Sequence, residues 1–95
     1  MQLSDDRFVV LDPLQARAPV HLLVVPRRHT DSVHEFASQD PAGVALLRTA
    51  TEVAERAGIL DSGYRLVLNS GPATDQTVRH PHLHVIGGER LIPHP

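Results

Sequence analysis

The feature that most constrains the fold is a helical segment in the middle of the chain, bounded by Asp40-Pro41 and Gly58. Aspartate caps free N–H groups, proline suits the first helical position, and glycine commonly ends a helix. Apolar residues recur every three or four positions between these bounds, at Val44, Leu47, Ala50, Val53, Ala54 and Ala57. That spacing predicts an amphipathic helix of about four turns or more, with one face packed on a sheet.

Strand-like segments stand on both sides of this helix. Residues 7–12, 20–25 and 64–69 are rich in β-forming side chains, and a last strand contains a run of alternating histidines. A short helix over 31–36, capped by Thr30 or Asp31, precedes the long one. Because the connections between strands are short, neighbouring strands are expected to be antiparallel. The order predicts one α+β domain over residues 1–95: an antiparallel sheet of about four to five strands, with the long and the short helix on one face.

The composition narrows the class of protein. A net charge of −2 provides no general attraction to nucleic acid or to anionic membranes, and all nine basic residues are arginine. The absence of cysteine excludes disulfides and thiolate metal sites. The polar start of the chain is unlike a signal peptide, and no apolar run is long enough to span a bilayer. We therefore expect a soluble, cytoplasmic protein that binds neither nucleic acid nor membranes.

The last predicted strand carries the chemistry. His80, His82 and His84 alternate, so on an extended strand they share one face at intervals of about 6 to 7 Å. Imidazole, with a pKa of about 6.5, is a good nucleophile at neutral pH. A zinc site is a second interpretation, although the three positions span roughly 13 Å, which is wide for one ion. A third is that the histidines are merely tolerated on a half-exposed face. Three in alternation beside a polar, glycine-containing loop favour catalysis over that third interpretation.

These residues resemble the histidine-triad (HIT) family, whose signature is His-φ-His-φ-His-φ-φ with φ apolar. The signature falls at residues 80–88, and the lead-in at 76–78 and the polar segment at 69–71 resemble the Hint branch of nucleoside phosphoramidate hydrolases. Three further segments also resemble this family, at residues 5–12, 18–29 and 63–65. The resemblance implies a HIT-like fold, a nucleotide-binding hydrolase without metal or other cofactor, and a homodimer.

The resemblance also implies a role for each histidine of the site. His82 matches the nucleophile that attacks the α-phosphorus and carries the nucleotidyl group until water removes it. His84 matches a histidine that contacts the phosphate, and His80 one that supports the nucleophile. His29 matches a fourth histidine that completes a buried hydrogen-bond network.

Four other residues match substrate-binding positions. Asp12 corresponds to the acid that binds the ribose hydroxyls, since a carboxylate can accept from two hydroxyl groups. Asn69, Gln76 and Thr77 correspond to groups on the phosphate side. The remaining histidines match no catalytic position and are predicted to be structural or on the surface: His21, His34 and His94.

The predicted substrate is a purine nucleotide or nucleoside phosphoramidate. Two alternatives stay open: a nucleotide-binding or regulatory module with little activity, and a dinucleoside polyphosphate hydrolase. Family members usually carry an N-terminal arm before the segment that matches residues 5–6, and this arm contributes to the base pocket. Because this sequence starts close to that segment, we expect a different base pocket.

Overall fold

A four-stranded antiparallel sheet lies at the centre of the structure, a computed structural model that describes residues 4–74 and 80–93. The strands are β1 (Phe8–Leu11), β2 (Val20–Pro26), β3 (Tyr64–Leu68) and β4 (Leu83–Gly87). Their order across the sheet is β1-β2-β4-β3, so the strand that contains His84 lies between two others. The α+β class and the antiparallel sheet are as predicted.

Two helices cover one face of this sheet. The first, α1, spans Val33–Ala37, and the second, α2, spans Ala42–Arg56. The N-cap of α1 is Ser32, whose hydroxyl accepts from the Glu35 N–H at 3.0 Å, so the predicted caps Thr30 and Asp31 were wrong. The serine competes well for this position because its short side chain reaches the free N–H three residues ahead.

The long helix begins one residue later than predicted. Pro41 takes the N-cap position and makes no side-chain hydrogen bond there, so Asp40 does not cap α2. At the other end Gly58 has a φ of +78°, the left-handed conformation that glycine adopts readily. With 15 residues, α2 is the longest described helix, and none within residues 4–74 and 80–93 is long and apolar enough to cross a membrane.

The core forms between α2 and one face of the sheet. Its sheet side is made by alternate residues of three strands: Phe8, Val10, Leu22, Val24, Leu83 and Val85. Its helix side contains Leu46, Ala50, Val53 and Ala54. Val44 and Leu47 were predicted on this packed face, but they are 61% and 52% exposed. The buried stripe of α2 passes through Leu46, and at 3.6 residues per turn the other two fall outside it.

The opposite face of the sheet carries the histidines. Because side chains alternate along a strand, Leu83 and Val85 enter the core while His82 and His84 lie on the other side. The register pairs His84 with Leu23 and Ile86 with His21, so β2 contributes to the same face. The predicted division, with apolar residues towards the helix and histidines away from it, holds from His82 to Val85. The strand itself begins only at Leu83, and His80 precedes it with its ring bound to Pro26 and Thr30.

Candidate active site

The centre of the histidine face is His82, immediately before β4. Its Nδ1 lies 3.0 Å from the backbone carbonyl oxygen of His80. A carbonyl oxygen only accepts, so Nδ1 carries the hydrogen and donates it. In the neutral ring the lone pair is therefore on Nε2, which has no hydrogen-bond partner among the described residues. This arrangement presents one defined basic nitrogen to a ligand.

The ring of His80 is bound on both of its nitrogens. Nε2 donates to the carbonyl oxygen of Pro26 at 2.5 Å, and Nδ1 accepts from the Thr30 N–H at 3.4 Å. With both nitrogens bound to the turn at residues 26–30, the ring is directed into the protein. His80 thus contacts His82 through its backbone carbonyl.

His84 is linked to a histidine of the neighbouring strand. The backbone N–H of Arg17 donates to Nδ1 of His21 at 3.0 Å, so the hydrogen of the neutral His21 ring is on Nε2. That Nε2 lies 2.9 Å from Nδ1 of His84 and donates to it. Nδ1 of His84 is therefore the acceptor, and Nε2 of His84 carries a hydrogen that can be donated to a ligand.

The environment keeps both linked histidines neutral. Burial lowers the pKa of His84 from its usual 6.5 to about 4, and positive charge on His82, His21 or Arg17 lowers it further. Burial, and then the Arg17 guanidinium, also lower the pKa of His21. At neutral pH, His84 therefore offers an uncharged N–H donor beside His82.

His82 and His84 together form a donor and acceptor pair on one face. Their ring centroids are 5.2 Å apart and their planes are inclined by 61°. An unprotonated Nε2 on one ring can attack an electrophile, while the N–H of the other donates to an oxygen bound to that electrophile. The pair suits the displacement of a group from a phosphorus or carbonyl centre.

His29 does not take the buried position that was predicted for it. Its side chain is 75% exposed, and its Nε2 lies 3.0 Å from a carboxylate oxygen of Asp31. The ring stacks on that of His80, with centroids 5.3 Å apart and planes inclined by 7°. The residue that completes the buried network is His21, only 7% exposed, which sequence reasoning assigned to structure or surface.

A signal for His21 was present in the sequence. It is the single polar residue in an otherwise apolar central strand, and a buried polar side chain requires a partner. Antiparallel pairing of β2 with β4 then places it diagonally across from His84, on the same face.

Two of the predicted substrate-binding residues lie just beyond the two edge strands, β1 and β3, on opposite sides of the sheet. Asp12 follows β1 directly and is exposed. Asn69 follows Leu68, which pairs with Leu83, so it adjoins His82 across the end of the sheet. The positions predicted at Gln76 and Thr77, as well as His94, lie outside the described residues.

Apolar side chains flank the histidines on the same face. Val9, Leu11, Leu23 and Val25 point to this side because Val9 pairs with Val25 and Leu11 pairs with Leu23. Leu11 is partly exposed, so this patch can be covered by a flat apolar group. In residues 4–74 and 80–93 no three side chains of the types that ligate metals are grouped to hold an ion.

A separate cavity lies away from the histidine face. A cavity of about 320 Å³ lies on the helix side of the sheet, with Phe8, Pro26 and Phe36 among its walls and no histidine. We assign the chemistry to the histidine face instead, because groups able to attack or polarise a substrate converge there.

Comparison with known proteins identifies the family of this chain. The family model described as "HIT domain" matches residues 2–91. An uncharacterized HIT-like protein from Synechococcus elongatus is 38% identical over 89 residues, covering 93% of this chain and 77% of that protein. The purine nucleoside phosphoramidase of Escherichia coli K12 is 30% identical over 91 residues, covering 95% of this chain and 76% of that protein.

The fold is also similar to that of solved structures. A HIT family hydrolase from Clostridium thermocellum superimposes with a TM-score of 0.88 at 36% sequence identity. The alignment covers 97% of this chain and 81% of that one.

Proposed function

Because the chain belongs to the HIT domain family, we propose that it is a hydrolase that cleaves nucleoside 5′-phosphoramidates or related nucleotide conjugates through a nucleotidyl intermediate on His82. The observation that carries the proposal is the hydrogen bond from Nδ1 of His82 to the carbonyl oxygen of His80, which leaves Nε2 unprotonated. The similarity to a purine nucleoside phosphoramidase supports the choice of substrate class.

In the first step Nε2 of His82 attacks the α-phosphorus and forms a P–N bond. The bond from phosphorus to the substrate amine breaks, and the amine leaves with the electron pair and takes a proton from solvent. The histidine ring now carries the nucleotidyl group and a positive charge. Its Nδ1–H still donates to the carbonyl oxygen of His80, and a charged donor strengthens that hydrogen bond.

In the second step water attacks the phosphorus from the side opposite His82. Water loses a proton to solvent, Nε2 departs with the electron pair, and the products are a nucleoside monophosphate and the neutral ring. The intermediate divides one displacement into two easier ones.

The neighbouring His84 stabilises the phosphate in both steps. Its Nε2–H donates to a non-bridging oxygen as negative charge develops there. Because its pKa is lowered to about 4, His84 remains an uncharged donor over the whole neutral range. His21 keeps the hydrogen on the correct nitrogen of His84 through the 2.9 Å contact.

The remaining substrate contacts are proposed from the family positions that four residues match. We assign the ribose hydroxyls to Asp12 and the phosphate side to Asn69, Gln76 and Thr77. The purine base covers the apolar patch that includes Leu11 and Leu23, on the face that carries His84. We also propose that the protein acts in the cytoplasm as a homodimer.

The experiment that tests this function replaces the nucleophile. His82→Ala should reduce the turnover of a fluorogenic purine nucleoside phosphoramidate by about a thousandfold or more, because no other group can form the intermediate. His34→Ala, on the exposed side of α1, is the matched control and should keep wild-type turnover.

Mass spectrometry of the rapidly quenched enzyme provides the second measurement. A nucleotidyl adduct on His82 is expected in the wild type and not in His82→Ala. Undiminished turnover in His82→Ala would refute the proposal. Tight binding of a nucleoside monophosphate without hydrolysis of any phosphoramidate would indicate a regulatory module instead.

A further inference from the structure

The ring of His80 is held by contacts from one short turn. In the part of the chain that the structure describes, its polar partners are the Pro26 carbonyl oxygen and the Thr30 N–H. The ring of His29, from the same turn, stacks on its face. The turn at residues 26–30 therefore binds both nitrogens of this ring and one of its faces.

The two nitrogens of the ring are not held equally well. The bond from Nε2 to the Pro26 carbonyl is short, at 2.5 Å. The bond from the Thr30 N–H to Nδ1 is 3.4 Å long, beyond the usual range of about 2.7 to 3.2 Å. The lone pair on Nδ1 is therefore weakly satisfied.

A second weakly satisfied group lies on the residue that makes this long bond. Thr30 is only 1% exposed, and its Oγ1 has no hydrogen-bond partner among the described residues. A buried hydroxyl without a partner is costly, so such a group calls for a physical explanation. Here an unpaired donor and an under-bonded acceptor belong to residues already in contact.

We propose that Thr30 is a positioning residue of the active site, whose hydroxyl donates a hydrogen bond to Nδ1 of His80. Because hydroxyl and amide belong to the same residue, rotation about the Cα–Cβ bond is the motion that brings them to the same acceptor. The bond fixes His80 with its hydrogen on Nε2. In the other tautomer, Nδ1–H would face the Thr30 N–H, and the Pro26 carbonyl would lose its donor.

The consequence reaches His82 through the backbone of His80. The ring bound by the turn and the carbonyl oxygen that accepts from Nδ1 of His82 both belong to His80. A ring held in one tautomer keeps that carbonyl directed at His82, and so keeps the lone pair of His82 on Nε2. This step rests on the proposed function, because it assumes that His82 is the nucleophile.

The test compares Thr30→Val, which keeps the shape and removes the hydroxyl, with Thr30→Ser, which keeps the hydroxyl. Nitrogen-15 NMR of the histidine rings reports which ring nitrogen carries hydrogen, without any substrate. In the wild type and in Thr30→Ser, His80 should show protonated Nε2 and hydrogen-bonded Nδ1. In Thr30→Val the His80 signals should indicate a mixture of tautomers.

The kinetic readout should follow the same pattern. In Thr30→Val, kcat should fall about tenfold, the effect of one lost neutral hydrogen bond, with KM unchanged because His80 contacts no substrate. Thr30→Ser should restore kcat. Thr51→Val is the matched control, because the Thr51 hydroxyl bonds a carbonyl of its own helix and lies outside the site.

One outcome of Thr30→Val would contradict the proposal. If the hydroxyl has no partner, Thr30→Val removes a buried polar group, so the melting temperature should rise while the His80 signals and kcat stay unchanged. That outcome overturns the proposal. The absence of a hydroxyl proton coupled to Nδ1 of His80 in the wild type overturns it too, and needs no variant.

The proposed function and this inference fail separately. A wild type without phosphoramidase activity contradicts the function, whereas the NMR comparison still decides the role of Thr30.

Discussion

At the scale of single residues, backbone groups determine which nitrogen of each histidine carries hydrogen. The carbonyl oxygen of His80 accepts from His82, and the backbone N–H of Arg17 donates to His21. A carbonyl and an amide have fixed roles, whereas an imidazole nitrogen has either role. The backbone therefore sets opposite tautomers on His82 and His84, and this makes one a nucleophile and the other a donor.

The first prediction concerns His21. His21→Phe retains the ring shape but removes the donor to Nδ1 of His84, so the hydrogen of His84 is no longer confined to Nε2. We expect kcat for a nucleoside phosphoramidate to fall about ten- to a hundredfold, because His84 then loses its hydrogen bond to the charged phosphate of the substrate. Steady-state kinetics measure this change, and nitrogen-15 NMR of His84 shows the tautomer.

His34→Phe is the control for that substitution, because His34 is an exposed histidine on α1. It should change neither kcat nor the His84 signals. Unchanged kinetics and an unchanged His84 tautomer in His21→Phe would contradict the linkage between the two rings.

The second prediction concerns pH and stability. In the unfolded chain His84 takes up a proton near pH 6.5, whereas in the folded protein its pKa is about 4. The folded state therefore binds fewer protons between these values, so stability is highest above pH 6.5 and falls as the pH drops towards 4. The urea midpoint should be lower at about pH 5 than at about pH 7.5.

A histidine substitution tests the origin of this pH dependence. His84→Gln should reduce the difference between the two midpoints, whereas His34→Gln should leave it unchanged. Equal midpoints at both values in the wild type would show that burial of the neutral His84 ring does not affect stability.

The site was predicted best where one strand determines it. Alternation alone placed His82 and His84 on a common face, because the period of a strand is fixed at two. The contact between His21 and His84 depends on the register of β2 with β4, and register is a property of the folded sheet. Only the family resemblance placed His29 in the buried network, and the structure leaves it exposed beside Asp31.

At the scale of elements, the two faces of the sheet serve different purposes. Leu83 and Val85 of β4 enter the core, while His84 between them faces the site. The core fixes the strand, and the strand fixes the spacing of the histidines. The sequence predicted this sheet and the presence of α2, since both depend on local periodicity.

The exact face of α2 was harder to predict. Apolar side chains of α2 lie both on its buried stripe and outside it, so more than one stripe competes, and packing against the sheet selects one of them. The structure selects the stripe through Leu46 and leaves Val44 and Leu47 outside it.

The third prediction tests that choice. Leu46→Ala should lower the free energy of unfolding by about 2 to 5 kcal/mol, because it removes a buried side chain and leaves a cavity. Leu14→Ala, in the exposed loop after β1, should change it by less than about 0.5 kcal/mol. Urea denaturation provides both values. Equal effects in the two variants would show that Leu46 does not lie in the core.

At the scale of the whole molecule, the exposed apolar surface of α2 bears on assembly. A chain of 10.4 kDa has a small core, and association is one way for a small domain to bury more apolar surface. Val44 and Leu47 of α2 are exposed. In the described structure β3 pairs only with β4, so its other edge is also open.

The last prediction is that this surface of α2 forms the interface of the proposed homodimer. The wild type should sediment at about twice the mass of one chain, and Leu47→Glu should shift it towards the monomer, because a carboxylate would be buried without a partner. Glutamate favours helices, so α2 should remain intact by circular dichroism. Leu14→Glu, which adds the same charge to an exposed loop, should leave the dimer unchanged. A wild type that sediments as a monomer at every concentration, or a Leu47→Glu variant that stays dimeric, would exclude α2 as the interface.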